Sequence, residues 1–221
     1  MNLQTELDQE RVYWLQQQPA PANAVECMAM DYLHRAGIEA RAVRVGERAP
    51  GFRLADRDGR PQSLDQLLAQ GPAVILFFRG VWCPFCELTL RAFAEAAPRF
   101  AALRSPLVAI TPQRLPPSTV PDPFPLLADI GSHVARAYGL AYDLPPNLKL
   151  LFEQHYQTPL PQLNADGGWT LPVPATYLLG PDGRVISVGI DVDYRRRTDP
   201  QAVIERIAAF YGEGQPPEAC V

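Results

Sequence analysis

An unbroken apolar run, Ala73-Val74-Ile75-Leu76-Phe77-Phe78, leads within five residues into Cys83-Pro84-Phe85-Cys86. Beyond the second cysteine, Leu88, Leu90, Ala92, Phe93, Ala96, Ala97 and Phe100 recur at helical spacing. The pattern predicts a strand, a tight turn and a helix that begins at the first cysteine. A helix start carries unsatisfied N–H groups and a partial positive charge, and both favour a thiolate. Pro84 suits the first turn, where no helical N–H is lost. A second cysteine three residues on can attack a mixed disulfide, so the pair suits a dithiol/disulfide cycle. The helix start assigns the exposed, more acidic, attacking thiolate to Cys83 and resolution to Cys86. Oxidation is expected to join the two.

Two plainer readings of the pair are weaker. A zinc site needs two more ligands at metal-like spacing, whereas Cys27 and Cys220 stand alone and His34, His133 and His155 form no paired motif. Inert buried thiols are common, but a strand-to-helix junction is not their usual place. Nothing in the sequence asks for a metal or a cofactor. Cys27 is expected to be a small core residue of a helix.

The chain has 221 residues, 47% of them apolar, enough for one substantial core. A net charge of −4 gives no bias towards nucleic acid or an anionic membrane. The longest apolar run is far too short to cross a bilayer, and residues 1–18 lack the apolar stretch of a secretion signal, so the expected location is cytoplasmic. In such a compartment a Cys-x-x-Cys pair is more often catalytic or metal-binding than structural. The 24 prolines, about twice the usual ~5% share, concentrate in Thr111–Pro125 and Pro145–Pro174. Those stretches are expected to be loops or short helices broken by turns.

Along the chain, two helices over 3–18 and 23–37 form an N-terminal extension, residues 1–44. A main domain over 45–213 and a tail over 214–221 follow. Gly51–Leu54 reads as a short strand, Asp56–Gly59 as a turn, and Ser63 as the cap of a short helix. Leu107–Ile110 and Phe124–Leu127 read as strands, Ser132–Tyr138 and Asn147–His155 as helices, the latter in an insertion. Ala175–Leu179 and Val185–Val188 read as strands joined by the Gly180–Gly183 turn, and Pro200–Tyr211 as a last amphipathic helix. The alternation indicates an α/β sandwich with a mixed central sheet.

Strand, Trp82-Cys83-Pro84-Phe85-Cys86, helix, strand, helix, then Val173-Pro174 and a hairpin resemble the thioredoxin fold, a three-layer sandwich. Val45–Phe52, Phe78–Cys86 and Pro174–Tyr177 resemble, more closely, its peroxiredoxin-like, alkyl hydroperoxide reductase/thiol-specific antioxidant branch. The resemblance implies that Pro174 is cis and faces the cysteines, and that Val173 offers its backbone to an extended peptide. Trp82, Pro84, Phe85 and Arg79 then join Val173 and Pro174 as substrate-binding residues.

Two departures follow from the same comparison. Peroxiredoxins carry a proline and a threonine or serine seven and three residues before the peroxidatic cysteine. Counted from Cys86 those positions hold Arg79 and Cys83; counted from Cys83 they hold Leu76 and Gly80. Peroxiredoxins also place an arginine where Pro174 stands. Arg195-Arg196-Arg197 is expected to be a solvated face, able to replace that arginine only if its loop folds back. Thioredoxin's buried aspartate corresponds to Phe77; Glu87, a candidate proton acceptor, is expected to be an ordinary exposed helix residue. The sequence therefore favours a thiol–disulfide oxidoreductase cycling Cys83 and Cys86, with weak peroxidase activity. The alternatives are a peroxiredoxin-type thiol peroxidase, in which either cysteine is oxidised, and a redox-regulated interaction protein. Expected partners are a disulfide or peroxide substrate, a thiol reductant such as thioredoxin, glutaredoxin or glutathione, and a second copy of the chain, with no nucleic acid or membrane. Cys220 is a remote candidate for resolution.

Overall fold

The structure is a computed structural model that describes residues 2–116, 122–164 and 166–213. Cys220, the 214–221 tail and part of the Thr111–Pro125 stretch lie outside the described residues. The helices are α1 (Leu3–Gln17), α2 (Ala20–Arg35), α3 (Ile38–Arg41), α4 (Leu64–Leu68), α5 (Pro84–Ala102), α6 (His133–Ala137), α7 (Pro146–Gln154), α8 (Leu160–Leu163) and α9 (Pro200–Glu213). The strands are β1 (Arg53–Asp56), β2 (Pro61–Ser63), β3 (Ala73–Phe77), β4 (Leu107–Thr111), β5 (Leu126–Ala128), β6 (Ala141–Asp143), β7 (Thr170–Pro172), β8 (Ala175–Leu179) and β9 (Val185–Ile190).

Seven strands form a mixed sheet in the order β2-β1-β5-β4-β3-β8-β9. β3 and β4 run parallel, as do β4 and β5, while β8 pairs antiparallel with both β3 and β9. The central strands are apolar throughout because both faces are covered. On one face Val74, Leu76, Leu107, Ala109 and Leu178 meet Phe93 and Phe100 of α5 and Val203 and Ile207 of α9. On the other, Ile75, Phe77, Val108, Ile110 and Tyr177 meet Leu64 and Leu67 of α4 and Val134 and Ala135 of α6. The three-layer thioredoxin-like architecture is thus written in the period-two alternation of β3 and β4.

Local signals explain several boundaries. Ser63 caps α4 in a reciprocal capping box with Gln66. The Asp56 carboxylate accepts from the N–H groups of Asp58 and Arg60 and closes the first turn. Strand β1 lies two residues later than the Gly51–Leu54 reading, and β5 begins at Leu126 rather than Phe124. The two-stranded sheet β6-β7 arises inside the Pro-rich stretch.

The N-terminal helices are built into the molecule. Leu3 and Leu7 of α1 sit in the core beneath α5. Ala29 of α2 packs with Leu148 and Phe152 of α7, so the insertion meets the N-terminal segment over the cysteine end of the sheet.

The reading of Pro174 is corrected: no peptide bond among the described residues is cis, so Val173–Pro174 is trans. The Val173 N–H donates to the Leu140 carbonyl at 2.9 Å, and its side chain is buried beside Leu33 and Ile38. The chain therefore runs extended from the β6-β7 sheet into β8, with Pro174 just before the strand, where proline is tolerated. The Val173 N–H is thus already bonded and not free for an incoming peptide.

Candidate active site

Helix α5 starts where its sequence says it should. Cys83 occupies the N-cap position and Pro84 the first helical position. Cys86 is the third helical residue, and its N–H donates to the Cys83 carbonyl at 2.9 Å. Both thiols therefore lie at the positive end of a 19-residue helix. The loop between β3 and α5 is held by Gln113, whose Oε1 accepts from the Val81 N–H at 2.8 Å. Gly80 leaves room for the side chains that hold this loop: a Cβ there would lie 2.2 Å from the Trp82 indole nitrogen and 2.7 Å from Gln113 Oε1.

The expectation of an exposed Cys83 does not hold. Cys83 is 1% exposed and Cys86 fully buried. The expected order of acidities is reversed as well. Burial pushes Cys83 up, and the adjoining Cys86 adds to the rise, against the pull of Arg79 and Arg197. Burial opposes the Cys86 thiolate too. There, however, the Cys83 thiol as hydrogen-bond partner, then the Arg197 and Arg79 guanidiniums and the Arg79 backbone, outweigh it and hold Cys86 well below the ordinary thiol range. Cys83 keeps its proton and Cys86 is the thiolate.

Arg197 reaches Cys86 because its loop does fold back. Its Nη2 lies 3.7 Å from the Cys86 sulfur. The three arginines of the run have three different fates. Arg195 is buried and ion-paired to Asp193 at 2.7 Å, and its Nη2 also contacts the Met30 sulfur of α2. Arg196 is exposed, 3.6 Å from Asp191. Gly189 on β9 permits the fold-back, since a Cβ there would meet the Thr198 hydroxyl at 1.9 Å. A cleft of about 210 Å³ lies here, lined by Cys86, Thr89, Pro174, Thr176, Arg197 and Thr198 among others.

Cys83 opens onto a different cleft, of about 310 Å³, lined by Trp14, Glu26, Arg79, Trp82, Tyr156 and Tyr194 among others. The two clefts share no lining residue. Arg79 is 5% exposed. Its guanidinium carbon lies 4.0 Å from the Tyr194 ring centre, 4.9 Å from Trp82 and 5.8 Å from Phe152, an aromatic cage for a cation. Burial works against that charge, yet the surrounding Cys83, Tyr142, Tyr194 and Cys86 raise the Arg79 pKa, and it stays protonated. Glu26 of α2 is equally buried and accepts from Tyr156 at 2.7 Å and Tyr194 at 2.8 Å, both through Oε1. Burial and the neighbouring Glu26 carboxylate push the Tyr194 phenol well up, so it remains a donor.

Of the residues singled out in the sequence, Arg79, Trp82, Cys83, Pro84 and Phe85 line the second cleft, and Cys86 and Pro174 the first. Val173 is withdrawn into the interior. Glu87 is exposed, while Cys27 is exposed rather than part of the core. Sequence reasoning missed Glu26, Tyr156, Tyr194 and Gln113. Isolated polar or aromatic residues far apart in the chain carry no pattern that unites them.

Comparison with known proteins gives the family and the fold. A protein named as a peroxiredoxin in two strains of Mycobacterium tuberculosis is 30% identical over 103 residues, 44% of this chain and 67% of that protein. The solved structure of peroxidoxin BcpB from Mycobacterium tuberculosis covers 76% of this chain and 97% of its own, with a TM-score of 0.54 and 22% identity. That of a peroxiredoxin 6 mutant from Arenicola marina covers 80% and 79%, with a TM-score of 0.59 and 15% identity. These likenesses establish the fold, a peroxiredoxin-like form of the thioredoxin architecture. The sequence pattern of the AhpC/TSA family matches residues 45–188, and with the cysteine pair at the start of α5 this chain, an oxidoreductase acting through thiols, belongs to the AhpC/TSA family.

Proposed function

We propose that the protein is a peroxiredoxin-type thiol peroxidase in which Cys86 attacks the peroxide and Cys83 resolves. One observation carries the reading: the Arg197 guanidinium stands against the Cys86 sulfur in its own cleft. The arginine that Pro174 displaces from the usual strand position is replaced from a different loop. A guanidinium so placed stabilises the thiolate before reaction and the oxygen charge that develops as the O–O bond breaks.

In the first step the Cys86 thiolate attacks one peroxide oxygen. The O–O bond breaks, Cys86 becomes a sulfenic acid, and the other oxygen leaves as water or an alcohol after taking a proton. In the second, the Cys83 sulfur attacks the Cys86 sulfur, water departs, and the Cys83–Cys86 disulfide forms. The i, i+3 placement across the helix start favours this closure over an intermolecular one. Two electrons from an external thiol then restore the pair.

The test is the second-order rate of peroxide with reduced protein, followed by thiol loss. A rate typical of dedicated peroxidases, absent in Cys86→Ser and retained with an accumulating sulfenic acid in Cys83→Ser, is the expected result. Slow oxidation of the unaltered protein beside rapid exchange with model disulfides returns the assignment to a thiol–disulfide oxidoreductase. Peptide mapping of oxidised protein should show the Cys83–Cys86 link.

A further inference from the structure

Four buried polar atoms on residues lining the Cys83 cleft have no hydrogen-bond partner: Glu26 Oε2, Arg79 Nε, Trp82 Nε1 and Trp14 Nε1. Two of them belong to full charges. Glu26 and Arg79 are each 5% exposed, and no ion pair joins them or links either to another described residue. Burying a charge without an ionic partner is expensive, and opposite charges in one cleft relieve the cost when a ligand pairs with each. The cleft is also at the lower end of the size of small-molecule sites, and its aromatic walls are interleaved with polar side chains, Gln18, His155 and Thr158 besides Glu26 and Arg79.

We propose that this cleft binds the reductant, a low-molecular-weight thiol that carries both a carboxylate and an ammonium group. The proposal rests on the peroxidase reading for the origin of the disulfide it resolves. The Arg79 guanidinium and the two indole N–H groups take the carboxylate, Glu26 Oε2 takes the ammonium, and the thiol is left beside Cys83. A protein reductant fits less well, because Cys83 is only 1% exposed and Val173, which could have guided a peptide, has its N–H bonded to Leu140.

The exchange balances as follows. The thiolate of the small thiol attacks Cys83 Sγ, the Cys83–Cys86 bond breaks, and Cys86 departs as a thiolate beside Arg197. A second thiolate attacks the ligand's sulfur in the mixed disulfide, forms the small-molecule disulfide and releases the Cys83 thiolate, which takes a proton. Two thiols are oxidised by two electrons in all and the protein dithiol is regenerated. The better leaving sulfur is Cys86, so attack at Cys83 is the favoured direction, and the cleft admits the nucleophile on that side.

The test starts from the full-length protein oxidised with diamide, which makes the disulfide without peroxide. Re-reduction is timed with cysteine, cysteamine, 3-mercaptopropionate and 2-mercaptoethanol at matched thiolate concentrations. Cysteine should saturate and exceed 2-mercaptoethanol by about tenfold or more, the discrimination of one charge-assisted hydrogen bond, with the singly charged thiols between them. Glu26→Gln should abolish the advantage of cysteamine over 2-mercaptoethanol, and Arg79→Gln that of 3-mercaptopropionate. Equal, unsaturable rates for the four thiols in the unaltered protein overturn the proposal without need of any variant. So does a thioredoxin that outpaces cysteine at equal concentration. Rapid peroxide oxidation alongside equal thiol rates would sink the cleft assignment alone; slow peroxide oxidation with the thiol order preserved would sink the peroxidase reading alone.

Discussion

The surroundings of Cys86 and Cys83 differ more than three residues of one helix would suggest. On the Cys86 side a guanidinium from a distant loop meets the sulfur, and the wall is completed by Thr89, Thr176 and Thr198. On the Cys83 side the sulfur faces indole, phenol and phenyl rings, with a caged arginine and a buried carboxylate beyond them. Burial pushes the Cys83 thiol up, while its hydrogen bond to Cys86 and the Arg197 and Arg79 charges hold Cys86 down against the same burial. The helix terminus is common to both, so it cannot distinguish them; the hydrogen bond between the two thiols and the loop arginine against Cys86 do. In the cycle proposed above, two unlike entrances would let the oxidising and the reducing half each select its own reagent.

Five substitutions test that contrast. The largest effect is expected of Cys86→Ser, which should cut the peroxide reaction by at least about 10³-fold, measured as thiol loss in stopped flow. Arg197→Ala should slow the same step by about 10²-fold, the usual loss for one preorganised charge-stabilising donor. The same variant should change the pH profile. Because Cys86 is held below the ordinary thiol range, its thiolate is present above that lowered value and disappears as the pH falls through it. Removing Arg197 should move the point of half-reactivity upward, read from alkylation rates against pH.

Gly189→Ala tests how the arginine is delivered. Its Cβ would collide with Thr198, displace the fold-back loop and cost about 1–3 kcal/mol of stability, with a loss of peroxide rate approaching that of Arg197→Ala. Tyr194→Phe removes one of two donors to the Glu26 carboxylate and should lower stability by about 1 kcal/mol in denaturant unfolding. Glu87→Gln, beside Cys86 but exposed, should change the oxidation rate by no more than about twofold through the weakened helix-end field. A larger fall would make Glu87 the proton acceptor.

The legible part of this molecule was the part governed by short-range pattern. β3, the turn, α5 and its N-cap follow from an apolar run, a proline and helical spacing within thirty residues. Even the two-faced cover of the sheet could be inferred, because only a strand buried on both sides is apolar throughout. Illegible was whatever depends on where a loop ends in space. Arg197 is indistinguishable from Arg196 in a row of three arginines, yet one touches the sulfur and the other a half-buried aspartate. Glu26 and Cys27 are neighbours on α2; helical phase turns the charged one inward and the apolar-leaning one outward, against the usual preference of both. Pro174 misled for a related reason. A proline before a strand fits either isomer, and the choice here goes with the β6-β7 sheet, which no signal in the Pro-rich stretch announced.

Helix α2 has a consequence for how this chain may be dissected. Through Glu26 alone it ties together Tyr156, behind the insertion, and Tyr194, beyond the last strand. The family pattern spans residues 45–188, and neither Glu26, Tyr194 nor Arg197 lies inside it. A fragment cut to the shared portion would keep both sulfurs and lose the cation beside one and the carboxylate near the other. Both of those charges thus come from the flanks of the shared pattern, so a test of the proposed site needs residues on either side of 45–188.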